Sequence, residues 1–544
     1  MTRTLNEIVS ELADSVRRSG ALEGESVRPP RADVLRTRYL RLPRYVKAAM
    51  APLVSMLPMK LRYGTAYQSL REELRLSSAC PDLAKTAQLK ALRKLVEVAQ
   101  RRSPFYLRRF LKAFGGPVDV ASFGLADLER LPVLEREEVG AEPEDLLVVA
   151  RREADLRHTS GSSGRQPLRI YLDRDRSVRE MAFLHHIWSR VGYQLGDGRA
   201  ILRDYGGNIP TGTRKWRYDG ALRELWLSPF DLRDDVMDQY LALLHRYQVR
   251  WLYGVPSALC TLANHARRRG WEVPSCFKGV LPASESLFAN QRKCIGEGLG
   301  DRPILPFYGL SERVAIAGES PGRPEVYLFE PLYGVTELID EDGAPVTRIG
   351  RRGKIVATGF LSGAMPLIRY HTGDYTELVA PASAENGYKL EARGISSRWS
   401  QEFVFGARGE PISVISLDSE NYADIIREYQ YYQDTLGKVV LQVAPCKGIS
   451  AELLEQTLRP VRQRVRGVID ISVVLVDHLP VGPTGKRAFV EQKLDHVLAR
   501  ALAGAPESAR GGRAGHGSSV YDHSDSLIAI PDPAVRCRMA GRSL

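Results

Sequence analysis

The chain has 544 residues, 44% of them apolar, and its 77 Lys and Arg against 65 Asp and Glu give a net charge of +12. A single hydrophobic core stops growing at roughly 250 to 300 residues, so this length excludes a one-core protein and predicts several domains. The positive charge favours anionic partners, but composition alone does not separate a nucleotide, a nucleic acid and a lipid surface, and a basic solvated surface explains most of such a charge.

Residues 1–75 are interpreted as a basic N-terminal arm. Within it, residues 34–64 carry seven Lys or Arg and no Asp or Glu, interspersed with apolar side chains. Such a segment could rest on an anionic membrane surface, so peripheral membrane contact is one hypothesis. Its prolines, Pro43, Pro52 and Pro58, would break any long helix, and the favoured alternative is an ordered arm packed on the main domain.

The residue pattern predicts a cytoplasmic protein with reduced thiols. Glu7, Glu11 and Asp14 lie in an amphipathic pattern without a continuous apolar core, so no secretory signal is expected, and no apolar run reaches the length of a membrane span. The cysteines show neither CxxC pairing nor a neighbouring His at metal-ligand spacing. The six are Cys80, Cys260, Cys276, Cys294, Cys446 and Cys537.

A large domain is predicted over residues 76–397. From Ala84 to Phe114 apolar residues recur at helical spacing, which predicts helices. From about residue 115 to 397, strand-like and helix-like pieces alternate, which favours an α/β domain. His185 and His186 fall in a helix-like run and are interpreted as packing or surface residues, not as ligands or bases.

The segment Arg157–Pro167, RHTSGSSGRQP, concentrates hydroxyls and glycines between two strand-like runs. Glycines let backbone N–H groups approach an anion, hydroxyls donate further hydrogen bonds, and successive amides form a nest, so the loop is suited to phosphate. Leu168, Ile170 and Leu172 then alternate at a strand period. The loop therefore joins two strands, unlike a Walker loop or a Rossmann fingerprint. An ordinary polar hairpin turn is the alternative.

Two further segments combine residue types that suit a nucleotide. Ile304–Phe307 is predicted to be a strand leading into the loop Tyr308–Arg313, which supplies an aromatic, a glycine, a hydroxyl and a carboxylate. Ligands bind at such positions in open α/β sheets. Leu367–Tyr370 is predicted to be a strand that ends in the Gly-Asp turn of His371–Asp374, whose carboxylate could accept from ribose hydroxyls.

A small α/β domain is predicted over residues 398–500. In it, the turn Gly482–Arg487 would present Lys486 between the apolar run Ile471–Val476 and a helix-like segment beginning near Ala488.

The two ends of this small domain have their own predictions. A hinge region is expected at Glu391–Gln401. Beyond Ala501 the composition becomes rich in Gly, Ser, Ala and Arg, which predicts a disordered tail over residues 501–544.

Four motifs in this order, TSGSSGRQP, YGLSE, RYHTGD and PTGKR, resemble those of the adenylate-forming (acyl-CoA synthetase) superfamily. Within it, the chain looks most like the phenylacetate-CoA ligase family, in particular its capsular-polysaccharide-biosynthesis-type branch. The region of resemblance covers roughly residues 80 to 500. One such motif is weak evidence, whereas four in order are strong. The finer resemblance rests on SPFY at 103–106, LPVL at 131–134, YGVPSAL at 253–259, and RWSQEF at 398–403 followed by Gly406 and Gly409.

The resemblance implies an α/β fold with a large N-terminal adenylate-forming domain of several sheets flanked by helices, and a small mobile α/β C-terminal domain. It implies that ATP and Mg²⁺ activate a small carboxylic acid as an acyl-adenylate, which then passes to CoA. Alternative acceptors are an amine or a hydroxyl, as in polysaccharide or secondary-metabolite biosynthesis. A different class is a non-catalytic scaffold that retains the fold. No nucleic acid is expected, because no basic stripe with interleaved aromatics is present. The oligomeric state is left open.

By the same resemblance, Lys486 and Glu312 are the catalytic candidates. Lys486 would act on the carboxylate and the α-phosphate, and Glu312 would help to bind Mg²⁺. Tyr308 would lie against adenine, Asp374 would take the ribose hydroxyls, and Arg398 would lie near ribose or phosphate. Each has an ordinary alternative, such as a surface lysine or a turn-capping carboxylate. The remaining nucleotide-binding candidates are Thr159, Ser160, Gly161, Ser162, Ser163, Gly164, Gly309 and Ser311.

The acyl pocket is predicted from two segments that flank apolar strands. Glycine, alanine and serine in these two segments would leave room for an acyl or aryl group; simple strand-to-helix caps are the equal alternative. The candidate residues are Tyr253, Gly254, Pro256, Ser284 and Glu285.

The chain departs from the superfamily pattern at three places. Leu168 stands where many members have a lysine, so the phosphate loop would carry less charge. Ser397–Ser400 lacks the usual Asp pivot of the hinge. Ala317–Ser320 offers no cysteine where some relatives hold zinc, so no zinc is predicted.

Overall fold

The computed structural model of the chain describes residues 39, 42–158, 168–174, 176–203, 215–229, 232–284, 287, 289–397, 403–417, 425–445, 449–477, 479 and 490–494. The α-helices in these ranges are α1 (Arg44–Met56), α2 (Met59–Tyr63), α3 (Thr65–Ala79), α4 (Pro81–Arg102), α5 (Pro104–Phe114), α6 (Leu125–Leu128), α7 (Arg136–Ala141), α8 (Arg176–Ser189), α9 (Asp234–Arg246), α10 (Pro256–Arg268), α11 (Ala289–Leu299) and α12 (Ala451–Val465).

The strands are β1 (Ala154–His158), β2 (Arg169–Asp173), β3 (Arg199–Leu202), β4 (Trp216–Asp219), β5 (Glu224–Leu227), β6 (Trp251–Gly254), β7 (Gly279–Pro282), β8 (Phe307–Gly309), β9 (Ile316–Ser320), β10 (Arg323–Phe329), β11 (Gly334–Ile339), β12 (Arg352–Gly359), β13 (Tyr370–Ala380), β14 (Glu391–Ser397), β15 (Phe403–Phe405), β16 (Pro411–Ser413), β17 (Ile426–Thr435), β18 (Lys438–Pro445), β19 (Asp470–Leu475) and β20 (Val490–Gln492).

Helices α4 and α5 confirm the helices predicted from Ala84 to Phe114. Pro81 opens α4, where its missing N–H interrupts no helical bond. Ser103 ends α4 and caps α5, because its Oγ accepts the backbone N–H of Tyr106 at 3.3 Å. A polar cap followed by proline is therefore the local reason for the break between the two helices.

One part of the N-terminal arm packs on the end of β4 and on the segment that follows it. The Tyr39 hydroxyl donates to Asp219 Oδ1 at 3.0 Å. This packing agrees with the ordered-arm alternative. Pro52 nevertheless lies inside α1, so the expectation that the prolines break any long helix was wrong there. Pro52 is on the exposed side of α1, where water can satisfy the carbonyl that loses its partner. The apolar cluster joining arm and segment contains Tyr39, Leu42, Ala51, Val54, Ala221 and Leu222.

Residues 199–299 form a five-stranded sheet in the order β4-β5-β3-β6-β7. Its strands are parallel except for β4, which pairs antiparallel with β5 at one edge. Helices α9, α10 and α11 share one apolar core with the sheet, and α8 shares another with Trp251 and Leu281. The carboxyl ends of β3, β6 and β7 therefore meet at one edge, the usual ligand position in open α/β sheets.

Residues 307–397 form a seven-stranded sheet in the order β11-β12-β13-β14-β10-β9-β8, with every neighbouring pair antiparallel. The predicted alternation of strands and helices therefore holds for 199–299 and not for 307–397. Antiparallel strands are joined by short turns, so this part of the chain needs no crossover helix. Helices α4 and α5 and the strands β1 and β2 share the largest core with this sheet.

A four-stranded sheet, in the order β19-β18-β17-β20, shares a core with α12, and β15 and β16 form a separate hairpin. The prediction of a helix beginning near Ala488 was wrong for Val490–Gln492. These residues form strand β20, which pairs in parallel with β17. The partly buried Val490 packs against the same core, and this burial at the sheet favours the strand.

The predicted α/β class, with several sheets and flanking helices, is confirmed. The first part of the predicted hinge, Glu391–Ser397, is strand β14 and pairs with β10 and β13, so it is not a free linker. The rest of that hinge lies outside the described residues. The division into an arm, a large domain, a small mobile domain and a tail stays a prediction. Among the described helices, none combines the length and apolarity that crossing a membrane requires.

Candidate functional site

Tyr308 and Asp374 meet, although 66 residues separate them in the chain. The Tyr308 hydroxyl donates to Asp374 Oδ2 at 2.7 Å. In the sheet order, β14, β10 and β9 lie between their strands, β8 and β13. Four strand spacings of about 4.8 Å are too far for a tyrosine to reach across a flat sheet. The sheet must therefore curl, and this curvature brings the YGLSE and RYHTGD segments together.

Asp374 lies on a bulge of β13, not in the turn that the sequence predicts. Between β12 and β13, Val356 pairs with His371 and Lys354 pairs with Tyr375. The three residues 372–374 of β13 therefore lie opposite a single residue of β12, Ile355. Gly373, at φ 83°, supplies the left-handed conformation that the bulge requires. The Asp374 N–H donates to Thr372 Oγ1 at 3.1 Å. The prediction of a turn was wrong because β13 continues pairing beyond Asp374.

Glu312 lies in the turn after β8 and is 7% exposed. Its Oε1 accepts the Tyr370 hydroxyl at 3.2 Å and lies 3.5 Å from Arg136 Nη1. A buried carboxylate needs such partners, because water no longer solvates it. Arg136 opens the short helix α7, and no sequence motif indicated it. Tyr370 could have been found, since it belongs to the RYHTGD motif.

Both phenols of this cluster are held in the protonated state. Burial raises the pKa of Tyr308 well above its usual value, and the Asp374 carboxylate raises it further. Burial and then Glu312 do the same to the pKa of Tyr370. At neutral pH each phenol therefore donates a hydrogen bond to a carboxylate, which keeps Asp374 and Glu312 in fixed positions as acceptors.

Tyr253, at the carboxyl end of β6, connects the parallel sheet to this cluster. Its ring lies 6.3 Å from that of Phe307 at an interplanar angle of 24°, and 5.3 Å from that of Trp188. The Arg203 guanidinium lies over the ring at 5.1 Å, and its Nη1 donates to the Tyr253 hydroxyl. The sequence did not indicate Trp188, Arg203 or Phe307 as neighbours of a candidate acyl pocket.

The other acyl-pocket candidates also lie at carboxyl ends of parallel strands. Gly254 is the last residue of β6, and Pro256 opens α10. Ser284 follows β7 and has φ 73°, a conformation that non-glycine residues seldom adopt and that is enriched at ligand-binding loops. Glu285 lies outside the described residues.

The remaining candidates divide between a surface turn and segments that the structure does not describe. Gly309 ends β8, and Ser311 is exposed in the following turn. Strands β1 and β2 pair antiparallel, which confirms that the phosphate-type loop joins two strands. The loop residues Thr159, Ser160, Gly161, Ser162, Ser163 and Gly164, together with Arg398 and Lys486, lie outside the described residues.

Comparisons with known proteins agree with the motif order. No family model matches the chain. A phenylacetate-coenzyme A ligase of Thermus thermophilus is 28% identical over 306 residues, 54% of this chain and 66% of that protein, just under two thirds of its length. A second phenylacetate-coenzyme A ligase, from Pseudomonas putida, is 24% identical over 79% of this chain and 97% of its own length.

Two further matches are a second kind of curated protein and a solved structure. Protein CapK of Staphylococcus aureus is 21% identical over 79% of this chain and 93% of its own length. A 2-hydroxyisobutyryl-CoA ligase, solved with 2-HIB-AMP and CoA in the thioesterification state, is 21% identical and covers 77% of this chain and 91% of its own, with a TM-score of 0.48.

The α/β fold and these relatives are consistent with the resemblance to the adenylate-forming superfamily that the motif order indicates. In sequence the chain is similar to the phenylacetate-coenzyme A ligases among these relatives, as the motifs predict.

Proposed function

We propose that this chain is an ATP-dependent, AMP-forming carboxylate ligase that transfers its acyl-adenylate to CoA. The observation that carries the proposal is the hydrogen bond between Tyr308 and Asp374, in the same cluster as Glu312. Phe307, the neighbour of Tyr308, stacks on Tyr253 near the carboxyl end of β6, which connects this cluster to the candidate acyl pocket. The phenylacetate-coenzyme A ligases among the relatives support the same activity, over 97% of the length of one of them.

In the first half-reaction, a carboxylate oxygen attacks the α-phosphorus of ATP, the bond to the β-phosphate breaks, and pyrophosphate leaves. In the second, the CoA sulfur attacks the acyl carbon and AMP leaves. Asp374, oriented by the Tyr308 hydroxyl, would accept hydrogen bonds from ribose hydroxyls. Reactants that are all anionic must be aligned and neutralised, so positioning and electrostatics supply the catalysis.

Glu312 is suited to a hard cation, because Mg²⁺ is usually held by one or two carboxylates together with substrate phosphates. Mg²⁺, when bound, offsets the charge of those phosphates. Arg136, 3.5 Å from Glu312 Oε1, supplies positive charge to the same carboxylate. The predicted absence of zinc stays a prediction.

Lys486 and the loop at 159–164 complete the proposed site. Lys486 would approach the carboxylate and the α-phosphate during adenylation and leave as the small domain rotates, and Arg398 would lie near ribose. Glu285 and Ser284 would line the acid pocket beside Tyr253.

ATP–pyrophosphate exchange with a library of carboxylic acids tests the proposal. Exchange with at least one acid is expected, and Lys486→Ala should abolish it while ATP binding stays nearly intact, because the lysine acts on charge that develops in the transition state. Lys293→Ala, at a lysine whose side chain is 77% exposed, is the matched control and should exchange normally. A scaffold protein would exchange with no acid, and full activity of Lys486→Ala would contradict the assigned role.

The acceptor is tested separately. An amine or hydroxyl acceptor is the second candidate, because the motifs resemble the capsular-polysaccharide-biosynthesis-type branch; the chain is also similar to Protein CapK over 93% of that protein. Acid-dependent AMP release should rise on adding CoA if the acceptor is a thiol. A rise only with amines or sugars would transfer the proposal to the second candidate.

The N-terminal arm supports a further part of the proposal, peripheral contact of a cytoplasmic enzyme with an anionic membrane. Large apolar side chains are exposed on and just after α1, with Leu53 at 68% and Met56 at 80%. Residues 34–64 contain no acid that would repel an anionic surface. An exposed apolar patch beside basic residues is the pattern of an interfacial segment. The exposed set is Tyr45, Met50, Leu53, Met56, Leu57 and Leu61.

A further inference from the structure

Cys260 on α10 and Cys294 on α11 lie side by side. Their sulfur atoms are 2.6 Å apart, against about 2.05 Å in a disulfide bond, and both cysteines are free and partly exposed. No sequence pattern links them, because 34 residues separate them. The sequence predicts reduced thiols, and both cysteines of this pair are free in the structure.

The packing of the two helices keeps these thiols together. One turn after Cys294, Gly298 lies so close to the backbone of Ala263 that an added Cβ would collide with it. Ala263 is correspondingly one turn after Cys260. The two helices follow the parallel strands β6 and β7 and share an apolar core, so their relative position is set by the sheet beneath them. The thiols therefore lie on a rigid pair of helices.

The surroundings of the pair favour reaction with an oxidant. The Cys260 thiol donates to the Cys294 sulfur, and this hydrogen bond lowers the pKa of Cys294 while it raises that of Cys260. The positive charge of Arg267 lowers the pKa of both thiols, although less than the hydrogen bond between them changes it. A partly exposed thiol beside a cation and a second thiol has the features of redox-active cysteines.

We propose that Cys260 and Cys294 are a modification site at which a reversible disulfide ties α10 to α11. The oxidant is a low-molecular-weight disulfide, RSSR. The Cys294 sulfur, as its thiolate, attacks one sulfur of RSSR and RS⁻ leaves. The Cys260 sulfur then attacks Cys294, its proton is released, and the second RS⁻ leaves. Two thiols and one RSSR thus give one protein disulfide and two RSH.

The position of this bridge gives it a consequence for the neighbouring loops. Cys260 lies on α10, which begins at Pro256 just after Tyr253 and Gly254 at the end of β6. Helix α11, with Cys294, begins shortly after Ser284. A covalent tie between the helices would restrain both segments at once. The bridge itself is inferred from the sulfur geometry and the helix packing, and it does not depend on the proposed function.

The test treats the full-length, folded protein with oxidised glutathione, alkylates the remaining thiols, and digests it with trypsin without reduction. The expected product joins peptide 251–267, which carries Cys260, to peptide 294–313, which carries Cys294, and dithiothreitol should release both. Cys260→Ser and Cys294→Ser should each abolish this product. Cys276→Ser is the matched control and should retain it.

A melting curve establishes whether the bond fits the native helices. The oxidised wild-type protein should melt at a higher temperature than the reduced one, because the bridge restricts the unfolded chain. Cys294→Ser should show no such rise. The proposal is overturned if both cysteines stay alkylatable, if glutathione adducts accumulate without the cross-link, if the cross-link joins other cysteines, or if oxidation leaves the melting temperature unchanged or lowers it.

Discussion

Tyrosine hydroxyls that donate to carboxylates are the recurring residue-scale device of the candidate site. Tyr308 fixes Asp374, and Tyr370 fixes Glu312. In each pair the phenol is on one motif and the carboxylate on another. The pairs therefore couple loops that are distant in the chain, and each can be tested by removing a single oxygen atom.

Tyr308→Phe should raise the KM for ATP several-fold with a smaller effect on the free energy of unfolding. The ring would remain to pack against adenine in the proposed site, but Asp374 loses the donor that orients it; such a bond is typically worth about 1.5 to 3 kcal/mol when a charge is involved. Steady-state kinetics and urea unfolding measure the two quantities. Tyr432→Phe is the matched control, because it removes a donor to Asp434, at 3.1 Å on the distant β17. Equal KM values for the two variants would contradict the role of Tyr308.

His186 makes stability depend on pH. Burial lowers its pKa from 6.5 to about 4, although the nearby Glu330 opposes this effect. The unfolded chain therefore binds a proton at a higher pH than the folded one, so the stabilisation is complete above about pH 6.5 and is lost as pH falls towards 4. Glu330, whose pKa is lowered by Lys389 and Arg190, loses its contribution only below its usual value of 4.5.

His186→Gln should accordingly flatten the loss of stability between about pH 7 and about pH 5. Urea unfolding at the two pH values measures it in wild type and variant. A loss in the variant as large as that in the wild type would mean that another group titrates in this window.

At the scale of elements, the contact between α10 and α11 depends on one missing side chain. Gly298→Ala should destabilise the fold by about 1 to 3 kcal/mol, because the new methyl group overlaps the Ala263 backbone and the helices must separate. Gly116→Ala is the control, since a Cβ there meets nothing within 4 Å. Chemical denaturation of both variants gives the comparison. Similar midpoints would show that the helices tolerate a wider spacing.

The sequence predicts some helices and strands of this chain and not others. The helices from Ala84 to Phe114 and the strands around the phosphate-type loop follow from local periodicity and caps, and both were predicted. The bulge at Gly373 and the strand at Val490–Gln492 depend on which strands lie beside them. Local pattern contains no information on such neighbours, so the sequence predicted a turn and a helix instead.

For the molecule as a whole, the order of the motifs predicts the fold class and superfamily, because four segments must converge on one ligand. It does not predict how the convergence is achieved. The curl of the seven-stranded sheet brings Tyr308 to Asp374, and Arg136 reaches Glu312 from a helix that has no motif. Cys260 and Cys294 meet for the same reason, since tertiary packing joins positions that are independent in the sequence.

The arm gives a prediction for the intact protein. It should sediment with vesicles that contain phosphatidylserine, and less so as salt rises, because basic residues are screened from anionic headgroups. Leu53→Glu/Met56→Glu should abolish sedimentation by placing negative charge on the exposed apolar face. Ile349→Glu, at an apolar side chain that is 65% exposed outside the arm, is the control and should leave sedimentation unchanged. The assignment of membrane contact to the arm would be refuted if both variants sedimented with the vesicles, or if neither variant did.

Strand β8 has a consequence for any attempt to change the acid that the proposed ligase would accept. Successive side chains of a strand point to opposite faces, and Phe307 accordingly meets Tyr253 and Trp188 while Tyr308 meets Asp374. A single peptide bond thus joins Phe307, which contacts the aromatic side chains of Tyr253 and Trp188, to Tyr308, which contacts the proposed ribose-binding carboxylate of Asp374. Displacing β8 to make more room beside Tyr253 would move Phe307 and Tyr308 together. Redesign should therefore begin at Trp188, which belongs to helix α8 and not to this strand.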